Sequence, residues 1–276
     1  MESSCKHRNR NRRMIPKAHI IEWSNQSPWQ NYAQIEQDLV ISRALIEIFQ
    51  DDFLANHLAF RGGTALHKLY LSAARYSEDI DLVQIKAGSF GEIADRLREK
   101  LSFLGEPKRK LKENNFTLIY PFDSEFPPVQ RLKLKIETNC REHFSVMGWE
   151  KFPFEVNSSW FKGNCEITTY SLAELLGTKL RALYQRRKGR DLFDLYRALS
   201  STEVDAETII RCFKEYMNFV VKSPPTQAEF IKNMDAKMQD SEFLGDIFEI
   251  ILPKIAQSYD NQKAYLYLKE QLLDKI

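Results

Sequence analysis

Residues 60–83 read FRGGTALHKLYLSAARYSEDIDLV, and the two ends of this stretch decide the fold. Gly62 and Gly63 precede an apolar stripe of Leu66, Leu69 and Tyr70, a pattern that predicts a helix beginning near Thr64. At the other end, IDLVQI at 80–85 has the apolar character of a short strand. Side chains at i and i+2 of a strand share a face, so Asp79 and Asp81 point together while Ile80 and Leu82 turn to the core. Taken singly, an Asp-x-Asp is an ordinary solvated strand edge and a Gly-Gly an ordinary turn. Together they have a chemical meaning. Glycines let a bulky anion approach the backbone, and a helix start aims free N–H groups at it. Two adjacent carboxylates repel unless a cation lies between them, and a hard divalent ion such as Mg2+ or Mn2+ binds oxygen ligands alongside substrate phosphates.

A third carboxylate comes from RLKLKIET, 131–138. Leu132, Leu134 and Ile136 take one face of a predicted strand and leave Lys133, Lys135 and Glu137 on the other. If this strand pairs with IDLV, Glu137 joins the two aspartates in a set suited to two-metal phosphoryl chemistry. The plain alternative is an amphipathic edge strand with a charged outer face.

The second informative segment is YSLAELLGTKLRALYQRRKGRDLFDLYRAL, 170–199. Ser171 with Glu174 three residues on has the form of a capping box and predicts a helix start. The stripe Leu172, Leu175, Leu176, Leu180 and Leu183 places Lys179 on the buried face, where an ammonium needs a partner. A triphosphate is one such partner, since lysine is a compact charge for phosphate oxygens. The bland reading is an aliphatic stem with its head reaching water. Asp191 follows Gly189 at the next helix start, where an N-cap is its ordinary role.

The remainder sets limits. A chain of 276 residues, 43% hydrophobic and 28% charged, is long enough for two lobes and has the composition of a globular protein. With no apolar run near twenty residues and no signal-like stretch after the basic N-terminus, no membrane partner and a cytoplasmic setting are expected. Cys5, Cys140, Cys165 and Cys212 are too scattered for a zinc site or disulfide framework and read as free thiols. A net charge of +2 does not by itself announce a polyanion partner. Two clusters are candidates for RNA contact: KHRNRNRR at 6–13, otherwise a solvated tail, and Arg186, Arg187, Lys188 and Arg190 in QRRKGR. Helical periodicity over 33–50 and 91–103, strands at 115–122 and 131–138, and a helical remainder from Ser171 interrupted by Pro224 and Pro225 predict an α+β first lobe and a helical second lobe.

FRGGTALHKLY, SEDIDL, KIE, ELLGTKLRAL and KGRDLFDLY, in that order across roughly 35–200, resemble the motifs of the AbiEii/AbiGii-type nucleotidyltransferase toxins, relatives of the MenT toxins within the DNA polymerase β-like superfamily. The resemblance implies a nucleotidyltransferase lobe with a mixed sheet at 1–168 and a helical bundle at 169–276 that completes the nucleotide cleft. It implies that Gly62, Gly63 and Thr64 hold a nucleoside triphosphate, that Asp79 and Asp81 bind magnesium, and that Lys179 contacts the nucleotide. Asp191 corresponds to a downstream functional aspartate, and Glu137 to a third carboxylate at which toxin members vary. Thr64 replaces the common serine and keeps its hydroxyl. The implied activity is nucleotide transfer to an RNA acceptor, foremost a tRNA 3′ end, by a toxin with a cognate antitoxin. A small hydroxylated acceptor, or a nucleotide-binding module without turnover, are the alternatives.

Overall fold

Seven strands form one mixed sheet in the computed structural model, which describes residues 15–221 and 223–276. The basic segment 6–13 and Cys5 lie outside the described residues. Three helices, α1 (Lys17–Trp23), α2 (Tyr32–Phe49) and α3 (Asp52–His57), precede β1 (Leu58–Arg61), the short α4 (Gly62–Ala65) and β2 (Asp79–Gln84). After α5 (Gly91–Lys100) come β3 (Lys108–Lys112), β4 (Asn115–Asp123), β5 (Arg131–Asn139), β6 (Trp149–Asn157) and β7 (Lys162–Tyr170). The rest is helical: α6 (Leu172–Gln185), α7 (Gly189–Ser201), α8 (Ala206–Val220), α9 (Gln227–Lys237), α10 (Ser241–Gly245), α11 (Pro253–Ala256) and α12 (Asn261–Gln271).

The strand order is β3-β4-β5-β2-β1-β7-β6, with β2 parallel to β5, β1 parallel to β7 and the other neighbours antiparallel. The pairing of β2 with β5 is the one on which Glu137 depended, and it sets Asp81 directly opposite Glu137 and Asp79 opposite Lys135. Alternation then sorts the faces: Ile80, Leu82, Leu134 and Ile136 are buried, while Asp79, Asp81, Lys135 and Glu137 stay half-exposed. Helix α2, capped by the Asn31 side chain, covers the buried face and packs on β5, β6 and β7.

Two apolar clusters result. One joins α2 to the sheet through Leu39, Ile41, Leu45, Phe60 and Tyr120; the other fills the helices with Leu180, Phe193, Phe213, Phe230 and Leu268. Leu66, Leu71 and Ala74, from the segment after α4, belong to the second cluster. The chain between the glycines and the aspartates therefore reaches over to the helical side before returning to the sheet. It leaves α4 through a wider i→i+5 turn at Leu66–Tyr70, closed by the Leu71 amide on the Leu66 carbonyl.

Several expectations need correction. Strands β1, β3, β6 and β7 were not foreseen. Helix α4 starts at Gly62 rather than Thr64. Ser171 does cap α6 by accepting from the Glu174 amide, but the Glu174 carboxylate does not close a capping box. It accepts instead from Ser145 Oγ, the amides of Val146 and Met147, and Tyr216 Oη, pinning the loop after β5 to the helices.

Candidate active site

Asp79 and Asp81 open into a two-armed cleft between the sheet and α6. One arm, about 380 Å³, is lined by Arg61, Gly62, Asn115, Asn139, Thr178 and Arg181; the other, about 500 Å³, by Ser77, Glu78, Asp79, Lys135, Arg187 and Arg190. Gly63, Asp81, Glu137, Lys179 and Arg186 border both arms.

Glycine is required at the turn. Gly62 has φ of +81°, and a Cβ there would lie 2.2 Å from Asp81 Oδ2; a Cβ on Gly63 would lie 2.5 Å from Arg75 Nη2. The missing side chains let an aspartate and an arginine close directly on the backbone. Burial and then the charge of Asp79 push the Asp81 carboxyl up, Arg61 opposing in part. Lys135 is the cation now nearest these carboxylates, 2.7 Å from Glu137 Oε2 and 3.5 Å from Asp79 Oδ2. Among the described residues no three His, Cys, Asp or Glu side chains form a ready-made metal cage. What the cleft offers is two or three oxygen donors on adjacent strands, a set that fits a hard divalent ion whose remaining ligands are water and phosphate.

Thr64 does not face the cleft with its side chain. It is buried, bonded to Ser77 Oγ at 2.8 Å and donating to the Asp79 carbonyl at 2.5 Å, so it braces the glycine turn against β2. Only its backbone is left for an anion.

Lys179 borders both arms, yet its charge is already matched: Nζ lies 3.1 Å from Asp191 Oδ1 and 3.0 Å from Asp194 Oδ2. Asp191 is fully buried and is not the N-cap of α7, a position held by Lys188 without a side-chain bond. Its carboxylate takes a fork from Arg186, at 2.7 and 2.8 Å. Asp194, one turn on, takes a second fork from Arg75, at 2.6 Å on each oxygen, and accepts from His67 Nε2 at 3.1 Å. Burial opposes both charges, but Lys179 and Arg186 hold Asp191 below the usual carboxylate range, and Arg75 with Lys179 holds Asp194 well below it. Arg75, His67 and Asp194 were not anticipated. The i, i+3 spacing in DLFD was the one available sign that Asp191 and Asp194 share a helix face.

A second unanticipated knot lies on the other flank. Glu142 accepts from Arg61 at 2.6 Å and from Arg181 at 2.7 Å, and these guanidiniums outweigh its burial to hold its carboxyl at about 2. The 186–190 loop is less basic in space than in sequence. Arg187 pairs with Asp240 at 3.2 Å, and Lys188 and Arg190 share Asp246 at 3.2 and 3.1 Å.

Known structures share this fold at low identity. MenT4, a nucleotidyltransferase toxin from Mycobacterium tuberculosis, superposes with a TM-score of 0.53 at 18% identity over 72% of this chain and 69% of its own. JHP933 from Helicobacter pylori gives 0.54 at 15% over 88% and 91%, and a nucleotidyltransferase described as putative from the same organism gives 0.52 at 15% over 88% and 94%. No curated protein sequence matches. A family model for the nucleotidyl transferase AbiEii toxin of type IV toxin–antitoxin systems matches residues 43–260, a span that takes in the glycine turn, all three carboxylates and Lys179. The chain thus belongs to the AbiEii nucleotidyl transferase toxin family.

Proposed function

We propose that this nucleotidyltransferase moves a nucleotide from a nucleoside triphosphate to the terminal hydroxyl of an RNA, a tRNA 3′ end, using Mg2+ or Mn2+, and that its toxicity is checked by a cognate antitoxin. The observation that carries the reading is Asp81 seated against a glycine that has no room for a Cβ, beside Asp79 and facing a wall of cations. On this reading the lobes 1–168 and 169–276 flank the substrate. Asp79 and Asp81 supply the metal ligands, with Glu137 beside them. A divalent ion, when bound, neutralises phosphate charge and stabilises the oxygens exchanged in the displacement. The backbone of Gly62, Gly63 and Thr64 faces the triphosphate. Lys179 and Arg186 approach it from α6 and its end, their positions fixed by Asp191 and Asp194. Asp191 is on this account a positioning residue. That MenT4 is a nucleotidyltransferase toxin of the same fold supports the toxin reading. No helix among the described residues is long and apolar enough to cross a membrane.

One observation favours a second reading, transfer to a small hydroxylated acceptor: the cations of the 186–190 loop are largely spent on Asp191, Asp240 and Asp246. Incubating the protein with Mg2+, each labelled nucleoside triphosphate and total tRNA separates the two. Labelled tRNA is expected, and its loss in Asp79→Asn and Asp81→Asn. Unlabelled tRNA, with the label passing instead to a small-molecule extract supplied in parallel, would point to the small acceptor, and near-normal activity in either variant would remove the assigned metal ligands.

A further inference from the structure

The sequence KRKLK at 108–112 forms β3, an edge strand whose five residues are all exposed. Lys108, Arg109, Lys110 and Lys112 make no ion pair or side-chain hydrogen bond among the described residues, which sets them apart from the compensated loop at 186–190. Lysines on an edge strand ordinarily guard against edge-to-edge pairing. Here the register adds something that such protection does not need.

Directly paired residues on neighbouring strands share a face of the sheet. Lys110 pairs with Thr117, Thr117 with Glu137, Glu137 with Asp81, and Asp81 with Arg61. The parallel row runs from Lys108 through Ile119 and Lys135 to Asp79. Lys112 continues through Asn115 to Asn139. Three lysines, about 6.8 Å apart along the strand, thus lie on the carboxylate face, three strand spacings or about 14 Å from Asp79 and Asp81. At the Lys112 end the ground between is open. A depression of about 490 Å³ bordered by Lys112, Asn115, Asn139 and Arg141 meets the first arm of the cleft at the two asparagines. Two carboxylates border it: Glu142, bound to Arg61 and Arg181, and the exposed Glu113 at the hairpin turn.

Building on the reading of the chain as an RNA-modifying nucleotidyltransferase, we infer that the site face of β3, with Lys108, Lys110 and Lys112, is the surface on which the phosphate backbone of the RNA acceptor rests. The backbone runs from the lysines over Asn115 and Asn139, and its terminal hydroxyl enters the cleft at the carboxylates. The lysines bind charge without reading bases, so their contribution is general for RNA and strongly salt-dependent.

The test compares a Lys108→Ala/Lys110→Ala/Lys112→Ala variant with an Arg187→Ala/Lys188→Ala variant, using total tRNA and polyglutamate as probes over a range of salt. Exposed side chains without partners are removed in the first case, so thermal unfolding should match the parent. The triple variant is expected to bind tRNA roughly tenfold or more weakly, with the salt slope reduced by about two to three. The double variant should lose less than half as much, and nucleoside triphosphate affinity should stay within about twofold in the triple variant. Unchanged tRNA affinity and slope in the triple variant overturn the inference. So does loss of polyglutamate binding with tRNA binding kept, which would make β3 the seat of an acidic protein segment added to the sheet edge. Failure of the parent protein to label any tRNA would sink the functional reading instead, and the binding comparison would still decide what β3 holds.

Discussion

Two aspartate pairs lie a short distance apart in this protein and have opposite surroundings. Asp79 and Asp81 sit at i, i+2 on β2, partly buried and close together, with Lys135 ion-paired to Asp79 and to the neighbouring Glu137. Asp191 and Asp194 sit at i, i+3 on α7, fully buried, and are held by two arginine forks, a lysine and a histidine. Burial with a like-charged neighbour raises Asp81, whereas cations outweigh burial at Asp191 and Asp194. A buried carboxylate with cations on every side is part of the frame. Carboxylates whose nearby cations do not offset burial and mutual repulsion, at the mouth of a cleft, are poised to take up a cation.

The largest effect should come from breaking the compensated pair. Asp194→Asn leaves Arg75, Lys179 and His67 around a group that no longer carries charge, and unpairing buried ions costs about 3–5 kcal/mol. The melting temperature should fall on the order of 10 °C. A shift of only a degree or two would mean that the network contributes little to the fold. The other pair should answer in the opposite sense. Asp81→Asn relieves repulsion with Asp79, so stability should hold or rise slightly, while nucleotide transfer drops at least about a hundredfold, equivalent to roughly 3 kcal/mol of barrier. Parallel melting and transfer assays check both halves, and loss of stability without loss of activity would reverse the roles assigned to the pairs.

Gly62→Ala sharpens the contrast without touching a charge. The new Cβ lands on Asp81 Oδ2 and takes a positive φ that costs an L-residue about 1–2 kcal/mol. The carboxylate must move aside. Transfer is expected to fall about tenfold or more with a modest loss of stability, whereas Gly88→Ala, where nothing lies within reach of a Cβ, should do neither. Equal behaviour of the two variants in the transfer assay would take the close approach of Asp81 out of the mechanism.

The carboxylate side of this contrast was legible in sequence because it is local. Alternation in DIDLV and RLKLKIE places Asp79, Asp81 and Glu137 on one face, and a pairing of two short strands brings them together. The same locality located α2, β4, β5 and the start of α6. The compensated pair was not legible. Asp194 meets Arg75 across 119 residues and Arg61 meets Glu142 across 81, and no periodicity encodes such long-range charge matching. Lys179 was rightly seen to need a partner, but the partner was an aspartate on the next helix rather than a ligand alone. Strand β6 escaped notice although Phe152, Phe154 and Val156 alternate in KFPFEVN, because Pro153 in its middle argues against a strand except at a sheet edge, where β6 in fact lies; β7 escaped because KGNCE at its start is mostly polar and carries no apolar alternation. The basic loop misled for a related reason: Asp240 and Asp246, which neutralise it, come from some fifty residues downstream.

Glu36 tests whether lack of compensation is enough to mark a site. It is fully buried on α2, accepts from the Glu125 amide at 2.9 Å, and its Oε1 has no hydrogen-bond partner. Burial pushes its carboxyl from 4.5 up to about 7, with the Glu125 amide opposing and the Glu125 charge adding. Yet it borders neither arm of the cleft. If the cleft as well as the missing cation is required, Glu36 is a stability liability and nothing more. The sign follows from proton uptake. Between pH 4.5 and about 7 the folded state keeps a proton that the unfolded chain has released, so stability falls as pH rises through that window and then levels off. Relaxation of the surroundings trims the effect to about 1–2 kcal/mol. Glu36→Gln should therefore match the parent at pH 5 and melt a few degrees higher at pH 8, with transfer activity unchanged. A loss of transfer in Glu36→Gln despite that gain in stability would show that an uncompensated carboxylate can matter to the chemistry from outside the cleft, and the distinction between the two aspartate pairs would have to be redrawn around charge alone.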